Sequence, residues 1–296
     1  MRIFVTFYTI CALIGLHNPL DAQEIEPNPT EQGYIDSGLA RSLADLGVSN
    51  PDYSKKCMFL GSDSSLETAN SELIALVQYL SVASDLSNDL LGIAKEKHVT
   101  ICLVDTGINE RGSFDYSSNL IVLREALTFP EKILIMVHEL RHLDQFGRGF
   151  CPSTKFDMSE HVRLIYALEA DAQAITTLSA WSMKVSGDDL PWATLSEFEK
   201  YSDISDSFSA RFSESGDLST ATSAAFAQWY QSRWRLESYY LGACENYLDD
   251  LDRTKMVQSY LKLPDSFFDT LCSLPNGMSY ECLEAAKADY ANQSEK

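Results

Sequence analysis

The chain has 296 residues, 45% of them hydrophobic and 22% charged, and a formal net charge of −20. This is the make-up of a folded globular protein, and it excludes a disordered or collagen-like chain. The acidity argues against nucleic acid and anionic lipid as partners, since both are bound by positive patches. It suits an exported protein that charge keeps soluble.

Residues 1–22 read as a signal peptide. Arg2 supplies the charge, residues 3–16 are mainly apolar, and Leu20-Asp21-Ala22 ends on a small residue suited to cleavage. The apolar stretch is short for a membrane span, and Thr6 and Thr9 interrupt it. Cys11 lies inside the stretch rather than at its end, which argues against a lipid-anchored N-terminus. Nothing later approaches spanning length, so the expectation is an exported chain, periplasmic or secreted, with no membrane insertion after cleavage. Removal of the peptide leaves about 274 residues, enough for one large domain or two modest ones. Cys57, Cys102, Cys151, Cys244, Cys272 and Cys282 remain, and an even number in an exported chain suggests disulfides. Cys272 and Cys282 flank the turn signal Pro275-Asn276-Gly277, so a local bridge is expected there. No CxxC pair occurs, which argues against a cysteine-rich metal site.

Residues 23–40, rich in Glu, Pro, Asn and Gly, read as a flexible lead-in. Residues 64–97 carry a helical apolar pattern, long enough for one helix or for two joined near residues 84–87. Residues 100–104 follow as a short buried strand, and residues 107–112 as a loop. Residues 114–123 form a second strand region, with a bulge or turn at Tyr116-Ser117-Ser118-Asn119. A helix is expected within residues 124–146, with Pro130 in the first turn of its main segment and Gly147-Arg148-Gly149 ending it. Residues 159–185 give the next helix. From Pro191 onward the chain reads as helices with short loops, and Trp181, Trp192, Trp229 and Trp234 read as packing residues. The fold class is therefore α+β, divided into a domain over residues 41–190 and a mainly helical C-terminal region over 191–296.

Chemistry enters at His138-Glu139-Leu140-Arg141-His142, an HExxH pattern. Residues four apart share a helix face, so His138 and His142 present two imidazoles to one ion. Glu139 lies about 100° round the helix, from where its carboxylate reaches a water on that ion. Two neutral imidazoles suit zinc, and three protein ligands plus water define a catalytic zinc site. Zinc acidifies the water and polarises a carbonyl, while Glu139 moves the proton. The helix is apolar nearly all round, so its two histidines and glutamate are costly to bury unless they are paired or bind metal.

Two histidines need a third ligand. The Gly and His that would continue a metzincin motif are missing after His142. The other common solution is a glutamate on the following helix, where Leu168-Glu169-Ala170-Asp171-Ala172 offers Glu169 at the edge of the apolar stripe. Asp171 lies about 200° further round, so the two carboxylates do not share one metal. Glu169 is taken as the ligand, and Asp171 as a carboxylate that either supports a ligand from behind or is purely structural. His161, near the centre of the same stripe, is an alternative ligand and otherwise a core histidine. Arg141 and Gln145 either position groups around the site or are ordinary helix residues. Tyr166, Tyr230, Tyr239 and Tyr240 are available as oxyanion donors, and the sequence selects none of them.

These residues resemble the gluzincin-type HExxH zinc metallopeptidases. HELRHLDQ together with LEADA is similar to a group of uncharacterised bacterial metallopeptidases, over roughly residues 64–185. The resemblance implies a minimal zincin-like core of long helix, small sheet, HExxH helix and Glu helix. It also implies an edge strand beside the motif helix, at residues 120–123, on which a peptide or protein substrate would pair. One departure is that many gluzincins carry ExxxD, and four residues before Asp171 stands Ala167. The expected function is that of an exported zinc-dependent metallopeptidase working through a zinc-bound water. The alternative is a catalytically inactive zincin-like binding protein.

Overall fold

The computed structural model describes residues 53–61, 70–104, 111–264, 266–282 and 284–285. The expected signal peptide, the lead-in and most of the expected 107–112 loop lie outside these residues. A short helix, α1 (Tyr53–Lys56), leads into strand β1 (Cys57–Phe59). Asn70 starts α2 (Ser71–Ala83), its side chain accepting from the backbone N–H groups of Glu72 and Leu73. The helix buries Leu73, Leu76, Val77 and Leu80, one stripe at helical spacing. At Ser84 the backbone is extended and the hydroxyl accepts from Ser87 N–H, which ends α2 and caps α3 (Asp85–Glu96). The apolar run is thus two helices, broken within the segment where the joint was expected.

Strand β2 (Thr100–Val104) is buried throughout. Strands β3 (Gly112–Asp115) and β4 (Leu120–Arg124) form an antiparallel hairpin. Asp115 accepts from Ser117 N–H at 2.9 Å, and Asn119 takes the left-handed conformation that closes the turn. The four-stranded mixed sheet has the order β1-β2-β4-β3. β2 and β4 run parallel, and β1 is antiparallel to β2. Cys57 and Cys102 face each other across β1 and β2 and are joined as a disulfide. Residues 120–123 are therefore interior, hydrogen-bonded to neighbours on both sides, and they are not the edge strand expected from the resemblance. The edge on the side of the motif is β3.

The motif helix α4 spans Phe129–Gly147. It starts later than residue 124 because Arg124 still belongs to the sheet, paired with Val104. The Glu131 carboxylate accepts from the Thr128 N–H at 2.7 Å, and Pro130 occupies the first turn. Gly149, at positive φ, turns the chain away beyond the C-terminus. α4 buries Ile133, Leu134, Met136, Val137, Leu140, Leu143 and Phe146, each contributing about 1.5–3 kcal/mol of transfer free energy. α5 (Met158–Val185), capped by Asp157, is buried over most of its length.

The remaining helices are α6 (Leu190–Ser196), α7 (Ser202–Ser215), α8 (Leu218–Trp229) and α9 (Arg233–Thr254). Trp181 and Trp192 meet edge to face at 4.9 Å, with Phe208 beside both. Trp229 packs on Tyr166 and Tyr230, and Trp234 on Tyr201. Cys272 and Cys282 are disulfide-bonded as expected, whereas Cys244 is a free thiol. The architecture is α+β, with the buried cluster running from Met58 to Cys282. Among the described residues, no helix is long and apolar enough to cross a membrane.

Candidate metal centre

One turn of α4 and the middle of α5 meet at three side chains. His138 Nε2 and His142 Nε2 are 3.1 Å apart. Glu169 Oε2 lies 3.5 Å from His138 Nε2, and Glu169 Oε1 lies 3.4 Å from His142 Nε2. Ligand atoms held at about 2.0–2.1 Å in a tetrahedral shell are about 3.3 Å apart, so the imidazole pair stands at ligand spacing and the Glu169 carboxylate faces both nitrogens, one through each oxygen. The donor set, two imidazole nitrogens and a carboxylate, is that of a first-row divalent metal. Among the described residues this is the one His/Cys/Asp/Glu group with such a geometry. His138 keeps 16% of its side chain exposed while Glu169 keeps 3%, so the site opens on the His138 side.

The electrostatics follow from this packing. Burial would lower the His142 pKa, but Glu169 and Glu139 outweigh it and lift it to about 9. Burial would raise Glu169, but the His142 and His138 imidazoles hold it well below the usual carboxylate range.

Glu139 is buried on the same helix, one residue from His138. A Cβ added at Gly112 would stand 2.3 Å from Ile135 Cγ2 and 3.2 Å from Glu139 Oε1. Glycine there lets the backbone of the edge strand come alongside Glu139. Arg111, the preceding residue, ties β3 to the start of α4 through Glu131 at 3.0 Å.

Behind the ligands, Gln145 Oε1 lies 2.8 Å from His142 Nδ1. Nδ1 donates to Gln145, so Nε2 is the nitrogen that faces the tripod and the one a metal would take once its proton leaves. Asp171 is fully buried and is not a member of the tripod. It accepts from Arg141 Nε at 2.7 Å and from Gln145 Nε2 at 2.6 Å. Arg141 and Gln145 are thus both buried parts of the site's support.

Tyr239, one of the four tyrosines named from the sequence, stands where the Glu169 charge acts on its phenol. Tyr201, which the sequence reading missed, acts on the same phenol. Burial and then the Glu169 charge push the Tyr239 phenol well above its ordinary pKa. Tyr166 donates to the Leu236 carbonyl, Tyr230 packs among Trp229 and Phe226, and Tyr240 is 44% exposed. Tyr280, bonded to Asp171, was also missed. Both lie about thirty residues or more from either motif, and no local spacing marks them.

His161 is not among the three. It is a core histidine against Tyr247, and neither ring nitrogen makes a hydrogen bond of good geometry. Burial outweighs the nearby Ser153 backbone and lowers its pKa to about 4. The unfolded chain protonates this group first, near its ordinary value. The stabilisation is therefore complete above pH about 6.5 and is lost as pH falls toward 4, by up to roughly 3 kcal/mol. In His161→Leu the pH-dependent part of this loss is expected to vanish. Metal-free melts of parent and variant should then show the parent losing ground steadily from pH 7 to pH 5. Parallel melting curves across that range would refute the assignment.

A family model described as Putative metallopeptidase family (DUF6782) matches residues 51–282. No curated protein and no solved structure matches the chain.

Proposed function

The chain belongs to this Putative metallopeptidase family, and we propose that it is an exported zinc peptidase of gluzincin type. The observation that carries the reading is the convergence of His138, His142 and Glu169 within 3.5 Å of one another, with Glu139 on the same helix. Zinc held there would acidify a water and polarise the scissile carbonyl. Glu139 takes the proton of the attacking water as its oxygen bonds to the carbonyl carbon. Glu139 then gives that proton to the amine nitrogen as the C–N bond breaks. Gln145 holds His142 in the tautomer that leaves Nε2 free. Tyr239, on Glu169, is the phenol best supported as a donor to the developing oxyanion. The edge strand β3 is available to pair with an extended peptide or protein substrate. The disulfides support export, to a periplasm or to the outside of the cell.

The test is elemental analysis of the purified mature chain beside His138→Ala and Glu169→Ala. About one zinc per chain, lost in both variants, is the expected result. Zinc kept in Glu169→Ala would remove Glu169 from the ligand set. No metal in the parent after zinc is supplied would end the enzyme reading. Zinc bound without hydrolysis of any unfolded polypeptide would convert it to a zincin-like binding protein.

A further inference from the structure

The segment around Cys272–Cys282 lies about a hundred residues beyond Glu169, yet it contacts the metal site's support at several points. Arg141 Nη2 donates to the Leu271 carbonyl at 2.9 Å, and Nη1 to the Ser273 carbonyl at 3.1 Å. Arg148 donates to the carbonyls of Thr270 and Leu271. From the other limb of the loop, the Tyr280 hydroxyl donates to Asp171. The loop is closed by the disulfide and by two backbone bonds, Leu274 N–H to Met278 and Tyr280 N–H to Cys272. Gly277 makes its turn at positive φ.

Asp171 decides how Gln145 sits. The Gln145 amide nitrogen donates to Asp171 at 2.6 Å and to the Leu168 carbonyl at 2.9 Å. Two acceptors on that side leave only its oxygen to face His142 Nδ1. A flipped amide would set an oxygen against both acceptors in a buried site, so the flip is suppressed. The order of control is therefore Tyr280 and Arg141 to Asp171, Asp171 to Gln145, and Gln145 to the His142 ring.

We propose that the Cys272–Cys282 loop is a working part of the metal site, with Tyr280, Arg141, Asp171 and Gln145 as positioning residues that fix His142. The inference rests on the zinc reading above. It assigns the C-terminal segment a role in metal affinity that a purely structural brace would not have.

The experiment measures zinc affinity by chelator competition, and metal-free melting, for five full-length proteins. These are the parent, Tyr280→Phe, Cys272→Ser with Cys282→Ser, Gln145→Leu, and Tyr280→Phe combined with Gln145→Leu. Supporting ligand partners of this kind typically contribute ten- to a hundred-fold in metal affinity. About a ten-fold loss is expected in Tyr280→Phe and in the cysteine pair, and more in Gln145→Leu. The combined variant is expected to bind as Gln145→Leu does, because both changes act through one amide. Tyr280→Phe is a small change that keeps the test open if the cysteine pair does not fold. Parent-like zinc affinity in Tyr280→Phe, with only a lowered melting temperature, would overturn the proposal and leave the zinc site standing. Losses that simply add in the combined variant would overturn it too. Absence of zinc binding in the parent itself would instead remove the zinc reading on which it rests.

Discussion

Glu139→Gln is expected to bind zinc as the parent does and to lose hydrolysis by about a thousand-fold or more. General acid–base catalysis typically contributes 10²–10⁴-fold, and here one side chain both takes and returns the proton. The amide has nearly the same shape, so the packing beside Gly112 is kept, while the base is gone. Since Glu139 is no member of the tripod, metal content should stay near one per chain. The comparison pairs zinc content with turnover of an unfolded polypeptide. Parent-like turnover in a clean preparation would show that Glu139 is not the base. Loss of zinc together with activity would show that Glu139 helps to hold the site together.

The second large effect concerns stability. Arg141 occupies one of the two unspecified positions of HExxH, and it is fully buried. It pairs with Asp171 and with Asp144, the latter at 2.5 Å, while giving hydrogen bonds to two carbonyls of the C-terminal segment. Those carboxylates hold its guanidinium well above the ordinary range against the effect of burial. Arg141→Leu leaves Asp171 buried without its cation, a change that typically costs about 3–5 kcal/mol. For a chain of this size that lowers the melting temperature by on the order of 10 °C. Circular dichroism melts of the metal-free proteins measure it. A fall of only a degree or two would mean that water or a rearranged carboxylate replaces Arg141, and the network would lose its claim on the fold.

The parts of the site legible in the sequence are those that a single helix determines. His138 and His142 meet because four residues make a little over one turn, whatever surrounds them. The break at Ser84, the proline in the first turn of α4 and the glycine beyond its end are equally local, and they were read to within a few residues. Where β4 ends was not legible, because the pairing of Arg124 with Val104 that extends it comes from a distant strand. The edge strand was misread because its place depends on such distant pairings. The apolar run at residues 120–123 marks a strand, but strand order depends on which neighbours dock on either side.

Glu169 stands between these cases. Its wheel position set it apart from Asp171, since two residues along a helix turn side chains about 200° apart. That it meets the two histidines follows only from how α5 packs against α4. Tyr239 was one of four candidates that the sequence could not separate, and Tyr201 and Tyr280 were missed, because each approaches the site from an element that no periodicity links to it.

By itself the sequence determined that two histidines share one helix face, with a glutamate beside them, and which helices carry them, because helical geometry converts spacing directly into direction. The tertiary structure decided the third member of the tripod, the phenol beside it, the edge strand and the Arg141–Asp171 support. Each of these is a contact between elements far apart in the chain, set by which buried faces fit together.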